Sequence, residues 1–173
     1  MNAQDFQKVW QGAPLVTFAS PAEGLPTAAR LALRETGLPS AAEPWLTFMD
    51  IRRTDDATAA MLAGNQAYPI GLLPSGAVIC MPPDGRVLIL ERDAPDDEWL
   101  LNSSLEALYE SLFLYADFLT ALHERCPHYA SDLKIPDDLL ESLNETLRSC
   151  DSAAFDARGF WYNAVQALRD DSF

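Results

Sequence analysis

Apolar positions along the chain change their spacing midway. The first half carries short apolar runs broken by proline and glycine; the second half carries longer stripes at steps of three and four. Asp5 to Trp10 predicts a short helical turn, and Leu15-Val16-Thr17-Phe18 a short strand. Pro26 suits a first helical turn, where its missing N–H would lack a partner anyway. The helix it opens runs through Ala28, Ala29, Leu31 and Leu33 and stops near Gly37, with Pro39 beyond. Trp45 to Met49 is aromatic and apolar enough for a strand. Thr54 to Asn65, polar and alanine-rich, fits either a short helix or a loop.

The middle of the chain gives the sharpest pattern. Tyr68–Leu73, Ala77–Met81 and Val87–Leu90 are short apolar runs separated by Pro74-Ser75-Gly76 and Pro82-Pro83-Asp84-Gly85. Proline presets φ in such turns, and Asp with Gly supplies the permissive positions. Three runs joined this way predict an antiparallel meander. Their nearly continuous apolar character predicts strands covered on both faces.

A charged loop is expected from Glu91 to Glu98, then a helix. Ser103 with Glu106 has capping-box spacing. Leu105, Leu108, Tyr109, Leu112, Phe113, Ala116, Leu119 and Leu122 form one apolar stripe to pack on the sheet, ending near His123 to Pro127. Leu108, Leu112 and Phe113 are expected in the core. Asp137–Leu147, with Pro136 near its start, and Phe160–Leu168 predict two further amphipathic helices. The expected class is α+β: a single domain over residues 1–173 with a central, mostly antiparallel sheet flanked by helices.

Composition and charge then narrow the function. The chain has 173 residues, 49% hydrophobic and 10% aromatic, which is globular. No apolar run is long enough to span a membrane, and the N-terminus does not read as a signal peptide. Three cysteines without a CxxC favour a reducing, cytoplasmic setting. The net charge is −14. Residues 1–86 hold 8 acids against 6 bases, a net of −2; residues 87–173 hold 18 against 6, a net of −12. Such a chain repels phosphate backbones and anionic lipid, so neither nucleic acid nor membrane is an expected partner. A cationic protein is the natural complement, although the same acids could simply be solvated surface.

Candidate chemistry is thin. His123, Cys126 and His128 have ligand types but not the spacing of a structural zinc site, and His123 and Arg125 suit a helix C-terminus. The paired acids Asp55-Asp56, Asp96-Asp97, Asp137-Asp138 and Asp170-Asp171 fit solvated loops or helix starts better than a catalytic dyad. Ser103 and Ser104 lie in no nucleophile elbow and read as caps. Phosphate-binding loops, dinucleotide fingerprints and HExxH are absent. No catalytic, cofactor or metal residue is expected.

The stretch "YPIGLLPSGAVICMPPDGRVLILERD", a charged interval, and "WLLNSSLEALYESLFLYADFL" together resemble the SUKH superfamily, closest to its bacterial branch of immunity proteins from polymorphic toxin systems. The carriers are Gly71 in a strand before a hairpin, the turn Pro82 to Gly85, and Asn102 to Leu105 opening the long helix. The segment "FWYNAVQAL", with Trp161, is similar to that branch's closing helix. Many members carry glycine-aspartate where this chain has Gly71-Leu72. The resemblance implies a non-catalytic protein that binds a co-encoded toxin, often one acting on nucleic acid. Its motif residues are structural and do not locate the contact.

For the contact, charge density selects Asp93, Asp96, Asp97 and Glu98, with Trp99 beside them as an aromatic anchor or as a core residue. Five acids face one base, Arg92, within the eight positions from Glu91 to Glu98. The acids Asp137, Asp138, Glu141 and Glu145 are the next surface. Two other readings stay open: an acidic secretion chaperone or adaptor, and a small enzyme using loop carboxylates.

Overall fold

Turn chemistry sets the centre of the fold. The computed structural model describes residues 8–10, 14–51, 55–91, 93–126, 135–156 and 159–170, without the side chains of Ala57, Pro95 and Asp96. In chain order it forms β1 (Leu15–Val16), α1 (Thr27–Glu35), β2 (Leu38–Pro39), β3 (Ala41–Ala42), β4 (Leu46–Phe48), α2 (Asp56–Gly64), β5 (Tyr68–Leu72), β6 (Val78–Met81), β7 (Val87–Glu91), β8 (Ala94–Asn102), α3 (Leu105–Arg125), α4 (Asp137–Cys150) and α5 (Phe160–Arg169). β3 to β8 make one six-stranded sheet in sequential order, antiparallel throughout, and β1 pairs with β2 in a small antiparallel sheet. The architecture is α+β, as expected.

The predicted meander is β5–β6–β7. Gly76 (φ 91°) and Gly85 (φ 86°) take the left-handed positions that close its turns. Gly71 answers a different demand. A Cβ there would run into the carbonyl oxygen of Thr47 on β4 and lie 3.2 Å from Phe48 Cα and Ile79 Cδ1. Only glycine lets β4 approach β5 this closely.

Both faces of the meander are covered. Ile79, Met81, Val87 and Ile89 belong to the main core with α1, α3, α4 and α5. On the other face Val78, Cys80, Leu88 and Leu90 pack with Met61 and Leu62 of α2. The segment left open between helix and loop is therefore largely a helix. Asp55 caps it, accepting from Thr58 N–H at 2.8 Å. α1 ends where Gly37 N–H returns to Ala32 C=O at 3.0 Å. Lys8 and Val9 are helical, whereas Asp5 to Gln7 lie outside the described residues.

Two details of α3 differ from expectation. Its cap is Ser104, whose Oγ accepts from Ala107 N–H at 3.1 Å; Ser103 gives its own N–H to Asp151 Oδ2 at 2.6 Å. Leu108 and Leu112 are fully buried, but Phe113 is only half-buried. Tyr115 and Phe118 take its place in the core: Tyr115 stacks on Phe118, packs against Trp45 and against Trp161 of α5, and donates its hydroxyl to Glu43 C=O at 2.7 Å.

Candidate functional site

The charged segment is not the loop that composition suggests. After a tight reversal at Asp93, β8 runs back along β7, pairing Glu91↔Ala94, Leu90↔Glu98, Ile89↔Trp99 and Leu88↔Leu100. The register jumps between Leu90 and Glu91, so Pro95 to Asp97 have no paired position opposite them. Proline has no N–H for the ladder, and aspartates favour leaving it. The acids thus sit on the last strand of the sheet, at the outer end of a hairpin. On the other side of β8 lies a parallel bridge, Leu100↔Gly159, just before α5.

The structure divides the five chosen residues by environment. Asp93, Asp97 and Glu98 are exposed, and Asp96 is placed by its backbone alone. Glu98 shares Leu90's face of the sheet, where its Oε1 accepts from Arg86 Nη1 at 3.2 Å. Arg86 Nε also donates to Asp84 Oδ2 at 2.8 Å. Partial burial pushes the Asp84 carboxyl up, but hydrogen bonds from the Arg86 backbone and guanidinium outweigh this and hold it below its ordinary value. Glu98 is therefore already partnered, whereas Asp93 and Asp97 carry the open charge of the hairpin end.

Trp99 points to the opposite face, and 37% of it remains exposed. It borders a groove of about 230 Å³ with the aromatic rings of Trp45 and Phe160. Leu73, Ile89, Ala164 and Ala167 complete the apolar lining, and Glu91 and Asn163 are its polar members. Sequence reasoning could not find this groove, since it joins Trp45, Leu73 and the strands β7 and β8 to a helix some 60 positions beyond Trp99.

Sequence reasoning also missed a buried polar cluster behind the hairpin. Asn102, fully buried, donates from Nδ2 to Ser111 Oγ at 3.0 Å and to Asp151 Oδ2 at 3.1 Å. Its Oδ1 accepts from Trp161 Nε1 at 3.0 Å. Asp151 Oδ1 accepts from Ala154 N–H at 3.3 Å. The asparagine-serine step before α3 thus ties β8, α3, the end of α4 and α5 together. The signal available was an asparagine in an otherwise apolar "WLLN" run, which asks for buried partners.

The remaining candidates fall apart spatially. Asp137, Asp138, Glu141 and Glu145 are exposed on α4, opposite its buried Leu140, Leu143 and Leu147. Arg125 grips Asp138 with two bonds, 2.7 and 3.2 Å, and this pairing lowers the Asp138 carboxyl. His123 is exposed in the last turn of α3; His128 lies outside the described residues. Among the described residues no group of three or more His, Cys, Asp or Glu could hold a metal ion. Burial, reinforced by the charge of Glu98, pushes the Cys80 thiol up to about 12, and burial also raises Cys150. In both, burial favours the thiol over the thiolate. Among the described residues no helix is long and apolar enough to cross a membrane.

Chemically, this surface offers open carboxylates and an apolar recess side by side, which suits recognition of another protein. The sequence comparison agrees in kind. No curated protein and no solved structure matches the chain significantly. The model of the SUKH-4 immunity protein family matches residues 3–167, nearly the whole length. On that match, over the sheet and helices described above, the chain belongs to the SUKH-4 immunity protein family.

Proposed function

We propose that this immunity protein acts in the cytoplasm, without catalysis, by binding directly to a basic toxin that targets nucleic acid. The contact would be the outer end of the β7–β8 hairpin: Asp93, Asp96, Asp97, Glu98 and Trp99. The observation that carries the reading is the juxtaposition of exposed acids with a partly exposed tryptophan on one hairpin end. Toxins acting on nucleic acid need cationic clefts to meet phosphate. An acidic hairpin steers towards such a cleft and occludes it.

The test is stopped-flow association with the purified toxin domain encoded beside this chain's gene, across a salt series. Neutralising Asp96, Asp97 and Glu98 together should slow association and flatten its salt dependence, because rim charges act mainly on that rate. The fold should be nearly unaffected, since exposed charges contribute little to stability. Wild-type association by the triple variant at low salt would move the contact elsewhere, with Asp137, Asp138, Glu141 and Glu145 next. Sizing chromatography of the complex separates this reading from a chaperone, which would dimerise and hold its partner unfolded.

A further inference from the structure

We propose that the groove between Trp99 and α5 is an anchor site, taking one large apolar side chain of the toxin whose neighbouring lysine or arginine pairs with Glu91. The proposal rests on the immunity reading and adds to it the chemistry of the recognised segment.

Size comes first. At about 230 Å³ the groove falls below the roughly 300–1,000 Å³ typical of small-molecule sites. It has room for a side chain rather than for a metabolite. Chemistry narrows the occupant further. Three aromatic rings and four aliphatic side chains form the lining, and its one charged member is an acid, Glu91. Asn163, the other polar member, gives its Nδ2 to Gly159 C=O at 2.8 Å. A cation at its flank meets a carboxylate, with the exposed acids Asp93 and Asp97 nearby on the same hairpin.

Trp99 itself is the second argument. Its in-register neighbour Ile89 is 2% exposed and Leu101, two positions further along β8, is 0% exposed, yet Trp99 stays at 37%. The fold buries these two neighbours and leaves the larger side chain partly in water. Tryptophans placed so are the residues that alanine scans most often find dominating interfaces. Charge decides against a second copy of this chain as occupant. Two chains of net −14 meeting at this end would bring acid against acid. An anionic lipid surface is disfavoured on the same ground.

The groove and the acids then divide the work. The acids govern how fast the toxin arrives, and the groove governs how long it stays. The experiment measures association and dissociation separately, with the toxin domain encoded beside this chain's gene as the probe. Trp99→Ala should raise the dissociation rate by roughly 30-fold or more, the level of a hot spot, with association within about threefold of wild type. Ala167→Phe, which fills the groove from the half-buried α5 side without removing any ring, should do the same. Trp99→Phe should recover part of the loss. Circular dichroism melts confirm that each variant is folded before it is compared.

If both groove variants dissociate at the wild-type rate while the acid triple variant slows association, the anchor site is overturned and the immunity reading stands. If the wild-type protein does not bind that toxin, the immunity reading fails and the anchor site fails with it. A wild-type dimer that Trp99→Ala disperses would make the occupant a second copy and overturn the proposal.

Discussion

Replacing Asn102 by alanine tests whether the buried polar cluster holds the helices to the hairpin. The substitution deletes both donors and the acceptor of a fully buried side chain. Trp161 Nε1, on a residue only 2% exposed, loses its acceptor. An unsatisfied buried donor costs roughly 1–3 kcal/mol. The Asp151 carboxylate loses one charge-assisted bond, worth roughly 1.5–3 kcal/mol, but keeps the N–H groups of Ser103 and Ala154. Ser111 loses a neutral bond worth about 1 kcal/mol. A water entering the vacated volume would restore part of this. The expected net loss is about 3–5 kcal/mol, a large share of a typical domain's 5–15 kcal/mol. Urea unfolding reads it: with a slope of about 2 kcal/mol/M the midpoint falls by about 1.5–2.5 M. Trp161→Phe keeps the ring and removes the indole donor. The double variant should therefore lose less than the sum of the two singles by about 1 kcal/mol or more. A loss below about 1 kcal/mol for Asn102→Ala, or strict additivity with Trp161→Phe, would refute the cluster's structural role.

Leu112→Ala, at a fully buried position on α3, should cost roughly 2–5 kcal/mol, and an unchanged thermal melt would mean α3's inward face is misread. Gly71→Ala should push β4 off β5, exposing the Met49 amide, which donates to Ile70 C=O, to hydrogen exchange ahead of β6 and β7; uniform protection would refute the close-approach argument. Alkaline pH should destabilise the fold. Unfolded Cys80 ionises near 9.0 while the folded thiol holds its proton to about 12, so the unfolded state sheds protons first and stability falls through that window. Cys80→Ala should shallow the decline in a pH series of denaturation midpoints, leaving the part due to Tyr109 and Cys150, both also raised by burial. Iodoacetamide should spare Cys80 in the native protein and label it in urea; native labelling would contradict its burial.

The elements that could be read from sequence are those with local causes. Pro74-Ser75-Gly76 and Pro82 to Gly85 specify their turns without reference to the rest of the chain, and the meander follows. The helices α3, α4 and α5 follow from apolar spacing in the same way. The misreadings share a non-local cause. Ala94 to Glu98 has the composition of a loop, and only pairing with β7 makes it strand. Ser103 matched a capping box, but Asp151, 48 residues away, claims its N–H, and Ser104 becomes the cap. Phe113 lies on the apolar stripe, yet Tyr115, held against the distant Trp45 and Trp161, turns another flank inward and Phe118 is buried beside it instead. For the site, charge density located the acids. It could not reveal that Arg86 occupies Glu98, or that Trp99 faces a recess finished by α5.

The sequential order of the sheet bears on how the protein is made. Every strand of the large sheet pairs with its neighbour in the chain, so the hairpins can close early and quickly as the polypeptide leaves the ribosome. The last helix behaves differently. α5 supplies Trp161 to the polar cluster and Phe160, Ala164 and Ala167 to the groove, and Gly159 before it bridges β8. A nascent chain that has not yet released these residues can collapse around its sheet but lacks one wall of the groove. On the anchor-site proposal, protection would then begin only as translation passes α5, and a premature stop before Phe160 would yield the large sheet without that wall of the groove.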